Sequence, residues 1–126
     1  MNKKLLGYWI ATALTAFVYL TGGAVDVARP PFLLEEIAHL GFPSYFMVIL
    51  GTWKILGGIA VLLPRTPILK EWAYAGMTIN LTGATAAHAV VGDPPGETAF
   101  PLILLGIVAA SWALRPADRV VRPSAT

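Results

Sequence analysis

The sequence predicts an all-α integral membrane protein, a bundle of four transmembrane helices with a short outer interfacial helix after the first span. Of the 126 residues, 56% are hydrophobic and only 13% are charged, whereas a soluble domain carries about 25% charged residues. Four apolar stretches also approach the roughly 20 residues that cross a bilayer as a helix. These stretches are residues 5–25, 44–63, 72–91 and 98–114. Residues 1–115 are therefore expected to form one membrane domain, and residues 116–126 a frayed cytoplasmic tail.

The first stretch follows Lys3 and Lys4 and ends in small residues at positions 21–24. A cleaved signal peptide is the alternative to a retained span. The apolar part is longer than the roughly 7–15 residues of a usual signal-peptide core, which favours a retained transmembrane helix.

The segment after the first span has the pattern of a short amphipathic helix. Pro30 and Pro31 mark its start, and Gly41 with Pro43 marks its end. We expect this helix to lie on the outer surface, either as a cover over the mouth of the bundle or as a lid over a site. Its apolar positions are Leu33, Leu34, Ile37 and Leu40, and its polar ones are Glu35, Glu36 and His39.

Basic residues predict the orientation, because short loops rich in Lys and Arg stay in the cytoplasm. Seven basic residues fall on one predicted side, against Arg29 alone on the other. Both termini are therefore expected inside. The seven are Lys3, Lys4, Arg65, Lys70, Arg115, Arg119 and Arg122.

Composition also excludes several function classes. The chain has no cysteine, so it has no disulfide, thiolate nucleophile or cysteine-held cluster of its own. The formal charge of +2 is explained by membrane topology, so nucleic acid is not an expected partner.

Lys54 is the strongest functional signal. It lies near the middle of the second apolar stretch, where a charge costs at least about 2.5–3.5 kcal/mol. Helical side chains lean toward the helix N-terminus. Because neighbouring spans run in opposite directions, Asp26 and His88 should lean toward Lys54, with Asn80 at a similar depth.

These residues are expected to form one coupled polar cluster that binds a small anion or a quinone carbonyl in the outer half of the bundle. His39 on the surface helix is a further candidate ligand-binding residue. A purely structural ion pair that fixes helix register is the alternative. Neither His39 nor His88 has a second histidine at helical spacing, so neither a haem nor a metal site is predicted, and no catalytic residue is assigned.

Small residues on the second and third spans predict a close helix contact between these two spans. The contact is expected along Gly51, Gly58, Gly76 and Gly83, around the polar cluster. The small residues of the second span are Gly51, Gly57 and Gly58, and those of the third are Gly76, Gly83, Ala84 and Ala87.

Several segments resemble the DoxX-like family of small bacterial integral membrane proteins across nearly the whole chain. The most specific are HLGFPSYF at 39–46 and LGTWKILG at 50–57. The others are TGGAVD at 21–26, RPP at 29–31, KEWAYAG at 70–76, AH at 87–88 and GD at 92–93. The resemblance implies a multi-pass four-helix protein of the bacterial inner membrane. It also implies an association with redox systems, since better-known relatives are membrane subunits linked to thiosulfate:quinone oxidoreductase and to thiol-handling or oxidative-stress complexes.

The expected function is an accessory subunit of a membrane redox system. The relatives tend to carry an acid at the position of Lys54, which argues against thiosulfate oxidation itself. Because no self-contained catalytic machinery is visible, electrons would need a bound quinone or a cofactor of a partner subunit. The expected partners are the lipid bilayer and either a redox subunit or further copies of the chain. An oligomeric small transporter and a purely structural assembly partner are the alternatives.

Overall fold

The computed structural model describes residues 2–122, and this part of the chain is helical with no strand. The elements are α1 (Lys3–Ala28), α2 (Pro31–Leu40), α3 (Ser44–Leu62), α4 (Pro67–Val90) and α5 (Pro95–Ala113), followed by a 3-10 turn (Ala117–Arg119). The predicted all-α class is confirmed. The predicted short helix after the first span is present as α2.

Proline and capping residues set the helix boundaries. The side chain of Asn2 accepts a hydrogen bond of 2.7 Å from the backbone N–H of Leu5 at the start of α1. Arg29 ends α1 in the left-handed region, with φ 52°, and Gly41 ends α2 with φ 89°. Pro31, Pro67 and Pro95 occupy the first positions of their helices, where a missing N–H breaks no helical bond.

Three helices in the described part are long and apolar enough to cross a membrane, namely α1, α3 and α5. The fourth predicted span coincides with α4, which is 24 residues long but more polar than the other three. Its length would suffice at about 1.5 Å per residue. Three of the four predicted spans thus have the length and composition of membrane-crossing helices, and the four-span arrangement stays a prediction.

The closest helix crossing joins α1 to α3. A Cβ built on Gly51 would lie 2.6 Å from the carbonyl oxygen of Gly23, and one built on Gly58 would lie 2.9 Å from the side chain of Leu20. By contrast, a Cβ on Gly76 or Gly83 would meet nothing within 4 Å. The predicted glycine contact between the second and third spans is therefore wrong, because Gly51 and Gly58 of α3 face α1.

Helices α1, α4 and α5 enclose the main core together with one end of α3. Thr12 of α1 and Tyr74 of α4 both hydrogen bond to Ser111 of α5, at 2.6 and 2.8 Å. These three buried hydroxyls satisfy one another and fix the relative positions of three helices. The apolar core residues are Ala16, Tyr19, Val61, Tyr74, Met77, Leu81 and Val108.

A groove runs between α3 and α4 because α3 packs most closely on its α1 side. At one end Lys70 of α4 closes the groove by donating to the backbone carbonyls of Ala60, at 2.6 Å, and of Leu63. At the opposite end Leu33 and Ile37 of α2 pack against Met47 of α3. The short helix α2 therefore lies beside the mouth of the groove.

Charge separates between the two ends of the bundle. The seven basic residues named above cluster at the end where α1 begins and α5 finishes, while Asp26, Glu36, Asp93 and Glu97 lie toward the other end. The expectation that the tail frays is wrong for Arg119, which is only 7% exposed. Its guanidinium donates to the carbonyls of Val61 and Leu62 at the end of α3. The last residues of the predicted tail, 123–126, lie outside the described part.

Candidate functional site

Lys54 and Asp26 form an ion pair at the crossing of α1 and α3. Lys54 Nζ lies 2.8 Å from Asp26 Oδ2. Each residue follows a contact glycine by one helical turn, since Asp26 is three residues after Gly23 and Lys54 three after Gly51. A Cβ on Gly51 would come within 2.8 Å of Asp26 Cβ. The glycine crossing therefore creates the space that Asp26 occupies.

The pair is unequally buried. The side chain of Asp26 is 6% exposed, and that of Lys54 is 22% exposed. Within residues 2–122 no donor meets buried Asp26 Oδ2 at regular hydrogen-bond angles, so its attraction to Lys54 is mainly that between opposite charges. An ammonium has three donors. Lys54 therefore keeps protons that can reach a second acceptor on its exposed side.

Asn80 of α4 is held by Tyr19 of α1. Tyr19 Oη donates to Asn80 Oδ1 over 2.9 Å. This contact occupies the carbonyl oxygen of the amide and leaves the NH₂ group, which has two donors, for another partner. Lys54 and Asn80 are thus two donor side chains on the two helices that border the groove.

The groove is a cavity of about 830 Å³, and both donors line it together with Asp26. The remaining lining is largely apolar and aromatic, including Phe46, Trp53 and Ile79. A large apolar cavity with a few converging polar groups is the usual form of a small-molecule site.

His39, His88 and Asp93 form a second, separate cluster where α2 meets the connection between α4 and α5. One carboxylate oxygen of Asp93 lies 2.6 Å from His39 Nε2, and the other lies 2.6 Å from His88 Nδ1. The hydrogen bonds from His88 and His39 lower the pKa of Asp93. The hydrogen bond to Asp93 and its negative charge raise the pKa of His39.

The structure divides the predicted cluster into two. Lys54, Asp26 and Asn80 line one cavity, and their role in binding a ligand stays a prediction. His88 instead pairs with Asp93 and lines the second cavity with His39. The expected coupling of His88 to Lys54 is therefore wrong. His88 instead contacts Asp93, an acid five residues later in the chain, at 2.6 Å.

Two site residues, Tyr19 and Asp93, were not predicted from the sequence. Tyr19 precedes Asp26 by seven residues, so helical periodicity alone would have put both on one face of α1. Asp93 lies in a loop after Gly92, whose φ is 78°. The direction of a loop carboxylate has no periodic signal in the sequence.

These features define a small helical membrane protein with a polar pair buried beside an open groove. The sequence profile of the DoxX-like family matches residues 10–111, and the chain belongs to that family. It is also 27% identical over 88 residues to the uncharacterized protein YdgD of Bacillus subtilis (strain 168), a match that covers 67% of this chain and 74% of the relative. No solved structure matches the chain.

Proposed function

We propose that this chain is an accessory subunit of a membrane redox system and binds an isoprenoid quinone in the groove between α3 and α4. The observation that carries the proposal is the placement of Lys54 and Asn80 on opposite walls of one apolar cavity. A quinone combines carbonyl acceptors with a long apolar tail. A quinone site therefore needs hydrogen-bond donors and an apolar surface together.

The ion pair favours a quinone over a small anion, the other ligand considered from the sequence. Asp26 lies 2.8 Å from the Lys54 ammonium and cancels most of its charge. An anion would gain little from such a pair and would meet the repulsion of the carboxylate. A neutral carbonyl needs only a free proton donor, which the exposed side of Lys54 supplies.

Each lining residue then has a distinct task. Lys54 donates to one carbonyl oxygen, and Asp26 holds the ammonium in place. Asn80 supplies a second donor because Tyr19 fixes the orientation of its amide. Trp53, which is 68% exposed, offers an aromatic face beside the groove for the ring or the isoprenoid tail. The chain binds and orients the quinone, and a partner subunit supplies the electron transfer.

The proposed setting is the bacterial inner membrane, with α4 as the fourth span and both termini in the cytoplasm. The charge difference between the two ends of the bundle supports this orientation. In that arrangement the Lys54 pair lies in the outer half of the bundle, and α2 lies at the outer surface beside the mouth of the groove.

The test is to purify the protein in mild detergent from its host membrane and to extract and quantify the co-purifying quinone. The informative variants are Lys54→Met and Asn80→Leu. Lys4→Met is the matched control, because it removes a lysine at the far end of α1. We expect wild type and the control to retain quinone and the two groove variants to retain at least tenfold less.

Two results would argue against the proposal. One is wild-type protein that binds no quinone when decylubiquinone or a short-chain menaquinone is added back. The other is equal retention by Lys54→Met. The chain could instead purify without quinone but with another protein that crosslinks to residues of α3 and α4. That result would support the structural assembly role.

A further inference from the structure

The cluster around Asp93 contains four side chains of the metal-ligating type. One atom each of His88, Asp93 and Glu97 lie within 4.8 Å of one another. His39 Nε2 lies 2.6 Å from Asp93 Oδ1 and joins this group from a different helix. The end of α4, the following loop and the first turn of α5 thus supply three mutually close donors, and α2 supplies a fourth donor side chain through the contact of His39 with Asp93.

We propose that this cluster is a binding site for one divalent transition-metal ion of the Zn²⁺ type. The chemistry of the donors selects the metal. Imidazole nitrogen suits Zn²⁺, Fe²⁺, Ni²⁺ and Cu²⁺, whereas Mg²⁺ and Ca²⁺ prefer sites built from oxygen. Two imidazoles with two carboxylates make a mixed nitrogen and oxygen set whose charge a divalent cation neutralises.

The surroundings leave room for the ion. The four side chains line a second cavity of about 770 Å³. None of the four lines the quinone groove, although Glu36 and Pro101 border both cavities. Glu97 is exposed, and within residues 2–122 its side chain makes no hydrogen bond, so it is available as a ligand. Asp93 has a side chain only 7% exposed and holds both imidazoles. A metal ion would replace the protons now shared between Asp93 and the two rings.

Helical spacing predicted no metal site here, because neither histidine has a second histidine one turn away. The two are brought together by tertiary structure, from α2 and α4. A bound ion would fasten α2 to the α4–α5 connection, and so hold the short helix beside the mouth of the groove.

The experiment measures metal binding by the full chain, purified without a histidine tag and stripped with EDTA. Titration calorimetry with Zn²⁺ and elemental analysis after desalting give the affinity and the stoichiometry. We expect one equivalent of Zn²⁺ in the wild type and no competition from an equal concentration of Mg²⁺. Each of His39→Gln, His88→Gln and Glu97→Gln is expected to weaken binding at least tenfold.

Glu35→Gln is the matched control, because Glu35 lies on α2 and lines the same cavity without belonging to the donor group. It should bind Zn²⁺ as the wild type does. Glu97→Gln keeps the test decisive if a histidine variant fails to fold, since Glu97 is exposed. Absence of stoichiometric Zn²⁺ in the wild type would overturn the proposal, as would wild-type affinity in Glu97→Gln or an equal loss in Glu35→Gln.

Discussion

Gly23 of α1 and Gly51 of α3 meet backbone to backbone. A Cβ on Gly23 would lie 2.7 Å from the carbonyl oxygen of Gly51, and a Cβ on Gly51 would lie 2.6 Å from that of Gly23. Both distances are far shorter than a van der Waals contact. The crossing thus requires glycine on both helices, and it brings Asp26 and Lys54, one turn further along each helix, into contact.

Alanine at Gly51 is expected to destabilise the fold by about 1–3 kcal/mol, as overpacking does. The added methyl group meets backbone, which cannot rotate away, and it also displaces Asp26. Thermal unfolding in detergent measures the change. Gly76→Ala is the matched control, since a Cβ there meets nothing within 4 Å. The control should match or slightly exceed wild-type stability, by up to about 1 kcal/mol. Equal effects at the two positions would contradict the crossing.

The ion pair predicts strong coupling between Asp26 and Lys54. Lys54→Met leaves a buried carboxylate without its partner, which costs about 3 kcal/mol. Asp26→Asn removes the charge that the lysine faces. The double variant should be more stable than the sum of the two single effects by about 1–3 kcal/mol. A double-mutant cycle on unfolding free energies measures this. Additive single effects would show that the two groups do not interact.

Much of the fold follows from local sequence rules. The prolines and Gly41 predicted the position of α2, and the apolar stretches predicted the remaining helices to within a few residues at most ends. The helix that packs against Gly51 and Gly58 was not predictable in the same way. Gly51 and Gly58 identify a face of α3 that can be approached closely, but small residues do not specify which helix approaches.

The candidate site shows the same division between local and tertiary information. Lys54 stood out because a charge within an apolar span is rare, and Asp26 was correctly placed beside it from helix direction. The predicted partner of His88 was wrong because helix direction indicates only where helical side chains lean, whereas its actual partner, Asp93, lies in a loop. The buried position of Arg119 was not predicted, because it donates to Tyr8 Oη and to the carbonyls of Val61 and Leu62, which are far away in the chain. No sequence pattern relates such distant positions.

Arg119 is expected to anchor the basic end of the bundle. Its guanidinium caps the last carbonyls of α3, at 3.1 Å from Val61 and 3.3 Å from Leu62, and lies 4.8 Å from the centre of the Trp9 ring. Arg119→Ala should therefore lower stability by about 1.5–3 kcal/mol.

Arg122→Ala is the control for that measurement. Arg122 is exposed, and among residues 2–122 its side chain donates only to the carbonyl of Ala117, at 3.2 Å. Its loss should therefore change stability by less than about 0.5 kcal/mol. Unfolding curves of both variants in one detergent decide the matter. Equal effects of the two substitutions would mean that the buried contacts of Arg119 do not contribute to stability.

Cysteine labelling tests whether α4 crosses the membrane and which end of the bundle faces the cytoplasm. The chain has no cysteine, so single cysteines can be placed at exposed sites and labelled with a membrane-impermeant maleimide. Gly96→Cys lies at the acidic end, while Pro64→Cys and Arg122→Cys lie at the basic end. Positive charge holds the basic end in the cytoplasm. In intact spheroplasts Gly96→Cys should therefore react, and the other two should react only after permeabilisation. Because Pro64 and Gly96 flank α4, labelling of both from one side would show that α4 does not cross the membrane, and the reverse pattern would invert the orientation.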